Sequence, residues 1–384
     1  MHTPAAHPHE HDHLALLHLL DAGGAAEPRR RLLAAWDSPA AALDAGPGAW
    51  RAAGLDQAQA AQLARRPQID AQTRQWLAGP GHRLIGWSDP DYPPLLRATA
   101  SPPLALFVAG DADLLWHPAI AIVGSRAATA QGRDNAAAFA RALAAAGFAT
   151  CSGMALGIDT SAHLATVDAG GATIAVLGCG VDQPYPRSNS RLHGRIVAGG
   201  AVVSEHPPGT VARREHFPSR NRIIAGLSLG TLVVEAATRS GALITARLAA
   251  EAGREVFALP GSIHNPMARG CHRLIRDGAA LVETPGELVE ALQPVAMELG
   301  QALRRRLDGP PSAAGVPAPA PVATDRFDTP DYQNLWQALG HDPTPMDLLV
   351  ERTGLTPAVL SSMLLPMELD GRVSKEHGRY ARKS

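Results

Sequence analysis

AIAIVGSRAATAQGRDNAAAFARALAAAGFATCSG (119–153) decides the fold. It opens on five apolar residues and turns at Gly124. An Ala-rich helical stretch follows over 134–147, and a second apolar run closes it at 148–153. Strands that are apolar at nearly every position have both faces covered, as in a parallel sheet between helix layers. The alternation continues downstream. ATIAVL (172–177), AVVSE (201–205), LGTLVVEA (229–236), REVFALPG (254–261) and ALVET (280–284) read as further strands. DTSAHLATVDAG (159–170), SRLHGRIVAGG (190–200), LITARLAAEAG (243–253) and HRLIRDGA (272–279) read as the helices between them. Crossovers of this length are right-handed. The expected fold is α/β, a Rossmann-like doubly wound and mostly parallel sheet.

Outward from this centre the pattern changes. Residues 1–13 are His-rich and read as a disordered tail, although such tracts can bind metal. Residues 14–80 hold short apolar-periodic pieces broken by Gly and Pro, with helix starts at Ser38-Pro39 and Asp56. They suggest an all-helical module, SAM-like or helix-hairpin-helix-like, and the Gly-rich hairpins of the second are absent. A Pro-rich bridge then lays LALFVAG (104–110) onto the sheet, so the α/β domain is expected over 81–293. Residues 294–330 read as a Pro/Ala-rich linker. Residues 331–384 outline a C-terminal winged helix module: a helix over 344–352, a turn at Thr353-Gly354-Leu355, a helix over 356–369 and a hairpin to Arg382.

With 384 residues, 46% apolar and 18% charged, the chain is globular and long enough for two or three domains. Taken alone, the formal net charge of -1 argues against a nucleic-acid binder, which often carries a strong positive excess. Lys375 and Lys383 are the only lysines; the other 33 of the 35 basic residues are arginine. Cys151, Cys179 and Cys271 form neither a disulfide framework nor a zinc spacing. No apolar run approaches the ~20 residues that span a bilayer, and the N-terminus lacks a signal core, so a cytoplasmic protein is expected.

Ligands of doubly wound sheets gather at the carboxyl ends of strands. There the sequence places Gly124-Ser125-Arg126, then SGMALGIDTSAH (152–163), then LGCGVDQPYPRSN (177–189). FPSRNRIIAGLS (217–228) puts Arg220 and Arg222 around Asn221 before an apolar helix or strand, and Arg239-Ser240-Gly241 opens another helix. Arginine forks and glycine turns suit phosphate groups. Several such sites along one sheet edge fit a long polyanion better than a single dinucleotide, whose fingerprint is absent. Three sites also admit a catalytic reading. Asp159 and His163, at i and i+4, could be a general-base pair, or a cap and a packed histidine. Cys179 could be a nucleophile or a small buried side chain. Glu235 could be catalytic or a structural carboxylate.

IVGSR (122–126), SGMALGID (152–159), AVLGCGVDQPYPRSN (175–189), SEHPPG (204–209), FPSRNRIIAGLS (217–228), VVEAATRSGALITA (233–246) and VFALPG (256–261) together resemble the DprA/Smf DNA-processing family. The resemblance implies a single-stranded-DNA-binding protein of natural transformation that protects incoming strands and helps load the RecA recombinase. It implies a homodimer through the Rossmann domain, no membrane and no enzymatic activity. Carried onto this chain, the Gly-Ser-Arg arginine is Arg126, the basic residue after Tyr-Pro is Arg187, and Arg220 and Arg222 belong to the Arg-Asn-Arg motif. The expected DNA-contact set is Gly124, Ser125, Arg126, Ser152, Gly153, Gly157, Arg187, Asn189, Arg220, Asn221, Arg222, Arg239, Ser240 and Gly241. No catalytic residue, cofactor or metal ligand is assigned. The alternative is a phosphoribohydrolase-like Rossmann enzyme, for which Gly230-Thr231 supplies only part of the glycine loop. The second winged-module helix, TPAVLSSMLLPMEL, lacks Lys, Arg, Asn and Gln, so a protein contact or weak backbone binding is expected there rather than sequence readout.

Overall fold

The computed structural model describes residues 8–307, 330–339, 344–355, 359–360, 363–364, 367, 373–376 and 379–382. They fall into two compact units, divided after Gly309.

The first unit is built on a nine-stranded sheet: β1 (His82–Gly86), β2 (Ala105–Gly110), β3 (Ala119–Val123), β4 (Ala149–Ser152), β5 (Thr173–Val176), β6 (Ala201–Ser204), β7 (Gly230–Val233), β8 (Glu255–Ala258) and β9 (Ala280–Leu281). Their order across the sheet is β1-β2-β6-β5-β4-β3-β7-β8-β9. From β6 to β9 all neighbours are parallel, whereas β1–β2 and β2–β6 are antiparallel. The chain winds outward from β3 to β6 and then returns to pair β7 with β3. That reversal is the switch point of a doubly wound fold.

Alternation along the strands divides the core into two faces. Ala119, Ala121 and Val123 meet Ile223, Ile224 and Leu227 of one helix and Ala242 and Ala246 of the next. Ile120 and Ile122 meet Phe139, Leu143, Ile158 and Ala162 on the other face.

Six helices precede the sheet: α1 (Pro8–Asp21), α2 (Ala26–Ala34), α3 (Pro39–Asp44), α4 (Gly46–Ala52), α5 (Gln57–Arg65) and α6 (Ala71–Leu77). Ser38 caps α3 by accepting from Ala41 N–H, and Asp56 forms a capping box with Gln59 on α5. These helices do not own a separate core. Leu16, Leu19, Leu32, Leu33 and Trp50 share one cluster with Leu84, Phe107 and Val202 of the sheet.

Two expected boundaries shift. Residues 8–13, expected in a tail, are the first turns of α1. Residues 294–307, expected in the linker, are helical: α14 (Pro285–Leu307) continues through Pro294, and Arg306 near its end bonds Asp91 and Asp113 and lies over the Trp116 ring. The remaining residues of the tail and linker, 1–7 and 308–329, lie outside the described residues. Between β1 and α14 the chain forms α7 (Pro94–Arg97), α8 (Ala130–Ala145), α9 (Ile158–Asp168), α10 (Ser190–Gly199), α11 (His216–Leu227), α12 (Ala242–Glu251) and α13 (Arg269–Arg276).

The second unit carries α15 (Pro330–Ala338), α16 (Met346–Thr353) and a small antiparallel sheet ordered β10 (Thr344–Pro345), β12 (Arg379–Arg382), β11 (Val373–Glu376). Gly354 ends α16 at φ +69°, a left-handed position that suits glycine. Leu335, Leu349, Leu364 and Tyr380 pack within its core. Of the helix expected over 356–369, residues 359–360, 363–364 and 367 are described and helical, and Pro366 lies outside. Of the basic residues in and beside the C-terminal hairpin, Lys375, Arg379 and Arg382 stand on its strands, while Arg372 and Lys383 lie outside the described residues.

Candidate nucleic-acid interface

At the carboxyl ends of β3, β4 and β5 a pocket opens, lined by Arg126, Gly153, Leu156, Gly178, Cys179, Tyr185, Pro186, Phe217 and Arg220 among others. α11 supplies its floor. Phe217 and Arg220 stand three residues apart on this helix and therefore share a face. Pro218 sits in the first turn, where a missing N–H costs nothing.

Arg220 is only 5% exposed, and its buried Nε has no hydrogen-bond partner. Among the described residues it makes no ion pair within 4.0 Å. Burial pushes its pKa down, the Asp159 carboxylate opposes that, and Arg126 adds to it. A methyl group at residue 153 would overlap the Arg220 guanidinium, so glycine alone leaves it room.

Asp159 shapes the loop beneath. It accepts from Gly153 N–H at 3.1 Å and Ala155 N–H at 3.3 Å. Between them Met154 has φ +56°, a strained position for a side-chain residue. Its carbonyl is held by the Asn189 amide at 2.9 Å. Burial raises the Asp159 pKa, with Arg220 as the main opposing influence.

Arg126 is exposed, and its guanidinium carbon lies 5.4 Å from the centre of the Phe217 ring. Phe217 packs on Tyr185 with ring centres 5.2 Å apart. Leu156 and Tyr185 remain 47% and 45% exposed at the rim. The loop carrying Tyr185 is tied down through Asp182, which accepts from Gly209 N–H at 2.8 Å and from Gln72 of α6 at 3.2 Å.

Of the fourteen expected contacts, Arg126, Gly153 and Arg220 meet in this pocket. The others stand elsewhere. Arg222 leaves on the opposite face of α11, because two residues turn an α-helix by about 200°. It pairs with Glu205 at 2.5 Å. The pair of arginines expected to clamp one phosphate is therefore split by the helix. Ser152 is fully buried and donates to Ile122 O at 2.6 Å. Ser125 is buried, and its hydroxyl takes Ala127 N–H. Asn189 spends its amide on Met154 O and Thr160 Oγ1. Gly124 and Gly157 serve close packing, since a side chain would strike Ile158 in one case and Ser125 O in the other. Arg187, Arg239 and Gly241 are exposed outside the pocket. Asn221 makes a 3.4 Å bond to Gly241 O, and Ser240 accepts from Ala242 N–H. Tyr185, Phe217 and Leu156 were not in the expected set. Tyr185 and Phe217 stand close to Arg187 and Arg220 along the chain, but nothing in their spacing shows that their rings meet.

The catalytic candidates hold structural posts. Glu235 accepts from Thr129 N–H at 2.9 Å, Thr129 Oγ1 at 2.6 Å and Asn265 Nδ2 at 3.3 Å, which anchors the start of α8. It thereby fills the β3/β7 switch point. His163 is buried against Thr173 Oγ1 at 2.7 Å, and burial pulls its pKa down to about 3. Burial raises the Cys179 thiol to about 11. Among the described residues no group of three His, Cys, Asp or Glu side chains could hold a metal ion, and no helix is long and apolar enough to cross a membrane.

Residues 83–293 match the family model of DNA recombination-mediator protein A. The chain belongs to the DprA/Smf DNA-processing family. Residues 316–379 match the family's winged helix domain. Protein Smf of Escherichia coli (strain K12) is 42% identical over 308 residues, covering 80% of this chain and 79% of that protein. DNA processing protein DprA of Streptococcus pneumoniae is 47% identical over 203 residues, covering 53% of this chain and 71% of that protein. The X-ray structure of DprA from Streptococcus pneumoniae superposes with a TM-score of 0.64 at 36% identity, covering 72% of this chain and 96% of that chain. Within the DprA/Smf framework, the pocket above lies in the segment that the family model spans.

Proposed function

We propose that this chain binds single-stranded DNA through the Arg220 pocket, protects incoming strands and hands them to the RecA recombinase during natural transformation and recombination. It acts in the cytoplasm as a homodimer through the Rossmann domain, and not as an enzyme. One observation carries the proposal: a buried guanidinium with an unpaired donor, beside a second arginine and an exposed aromatic rim. A buried cation without an anion is costly, and a phosphodiester would complete it. Stacking surface next to a cation is how single strands are held without sequence preference. Membership of the DprA/Smf family supports the RecA, transformation and dimer parts. The phosphoribohydrolase alternative is not favoured, because Glu235 is committed to Thr129 and Asn265.

Fluorescence anisotropy with a labelled oligonucleotide tests the proposal. Arg220→Ala should weaken binding at least tenfold, since a charge-assisted hydrogen bond contributes about 1.5–3 kcal/mol. Arg126→Ala should weaken it several-fold, and RecA filaments should form sooner with wild type than with Arg220→Ala. Unchanged strand affinity in both variants would refute the assignment.

A further inference from the structure

A doubly wound sheet usually holds its ligand in the crevice where the winding reverses, which here lies between β3 and β7. The helix that follows β3 is α8, 16 residues long, with Thr129 as its N-cap. The first N–H groups of a helix have no partner within it, and the aligned peptide dipoles make that end attractive to an anion. A phosphate group is the usual occupant of such a place.

In this chain the anion at that place is its own. Glu235, two residues beyond the end of β7, is 7% exposed. Its carboxylate accepts from Thr129 N–H at 2.9 Å, from Thr129 Oγ1 at 2.6 Å and from Asn265 Nδ2 at 3.3 Å. Thr129 Oγ1 in turn accepts from Gly132 N–H at 3.0 Å, so its own proton is left for Glu235. Among the described residues no basic side chain pairs with Glu235 within 4.0 Å. A buried carboxylate without a cation is costly unless donors surround it, and here the start of α8 supplies them. The fit is close: a methyl group at residue 132 would overlap the Glu235 carboxylate, so glycine in the first turn lets it in. Glu235 does not line the Arg220 pocket.

We infer that Glu235 is a specificity-determining residue: its carboxylate stands where a ligand's phosphate would, and it bars phosphate ligands from the β3/β7 crevice. The crevice that usually serves a nucleotide is thus closed by a side chain of the sheet itself, and the Arg220 pocket is left as the anion site. The inference does not depend on what the Arg220 pocket binds. Cutting Glu235 back to its Cβ uncovers Thr129 N–H, Thr129 Oγ1 and Asn265 Nδ2, and a phosphate group then takes them.

The test melts the full chain and its Glu235→Ala variant in chloride, inorganic phosphate or acetate at constant ionic strength. Any rise in wild type with phosphate reports the Arg220 pocket. The variant should gain about 2–4 °C beyond that rise at a phosphate concentration about ten times its dissociation constant. The extra gain should vanish in Thr129→Val/Glu235→Ala, which lacks the hydroxyl donor. Equal responses of wild type and Glu235→Ala to phosphate overturn the inference. So does a variant stabilised by acetate and not by phosphate, because the place then fits only the carboxylate that was removed. Should Glu235→Ala fail to fold in chloride, the yield of folded protein on refolding gives the same reading. A higher yield in phosphate than in chloride supports the inference, and equal yields overturn it.

Discussion

A guanidinium taken out of water loses its hydration, and its donors must then be satisfied by the fold or by a ligand. At Arg220 the fold leaves that task open while holding the group in place. The bare Cα of Gly153 makes the room, and Asp159 fixes the loop by taking the N–H groups of Gly153 and Ala155. Gly153→Ala should therefore act on the site more than on the fold. The methyl group pushes the flexible end of Arg220 aside, and strand affinity should fall as far as in Arg220→Ala. The melting temperature should move by no more than about 2–4 °C, the shift of a 1 kcal/mol change in a domain of this size. Parallel anisotropy and thermal melts check this, and wild-type affinity in the variant would contradict it. At this scale the sequence was a partial guide. Arg126, Gly153 and Arg220 stand at strand tips or beside a conspicuous motif, and the structure brings them together. Ser152 and Asn189 carry the same polar chemistry, yet their hydrogen bonds are internal, and only the positions of Ile122, Met154 and Thr160 reveal that.

The decisive element is α11. As an extended segment, Arg220 and Arg222 would lie on one side, because side chains alternate with a period of two in a strand. As a helix, with 3.6 residues per turn, the same two arginines diverge. Phe217 and Arg220 then share the pocket face, while Arg222 meets Glu205. Arg222→Ala should leave strand affinity within about twofold of wild type. It should lower stability by about 1 kcal/mol, the scale of a partly buried ion pair, read as a shift in the urea midpoint. A loss of affinity comparable to that of Arg220→Ala would show that both arginines serve the strand. The apolar runs from 119 onward were legible as strands because each is hidden on both faces. β1 was harder to see, since HRLIG (82–86) is short, carries charge at one end and lies next to a Pro-rich stretch.

At the scale of the whole first unit, the N-terminal helices and the sheet share one core. Leu16, Leu19, Leu32, Leu33 and Trp50 are each under 4% exposed and pack in the cluster that holds Leu84, Phe107 and Val202. Each such side chain contributes about 1.5–3 kcal/mol by leaving water. A chain shortened to begin at residue 81 should expose that sheet face, bind a hydrophobic dye and melt well below the full chain. Equal melting temperatures would show that the helices fold independently. Gln72 of α6 also reaches Asp182 in the Tyr185 loop, so the same truncation should loosen the pocket rim.

The sequence by itself determined the parallel sheet and the helical and winged flanks, because apolar periodicity and glycine turns are local and repeat along the chain, and its motifs carried the resemblance to the family. The net charge of -1 hid the polyanion signal by averaging it over all 384 residues. Tertiary structure alone decided which arginines share a pocket and which are neutralised by Glu205. Those outcomes depend on the rotation of α11 and on contacts between residues far apart in the chain, and neither is written in the spacing of the motifs.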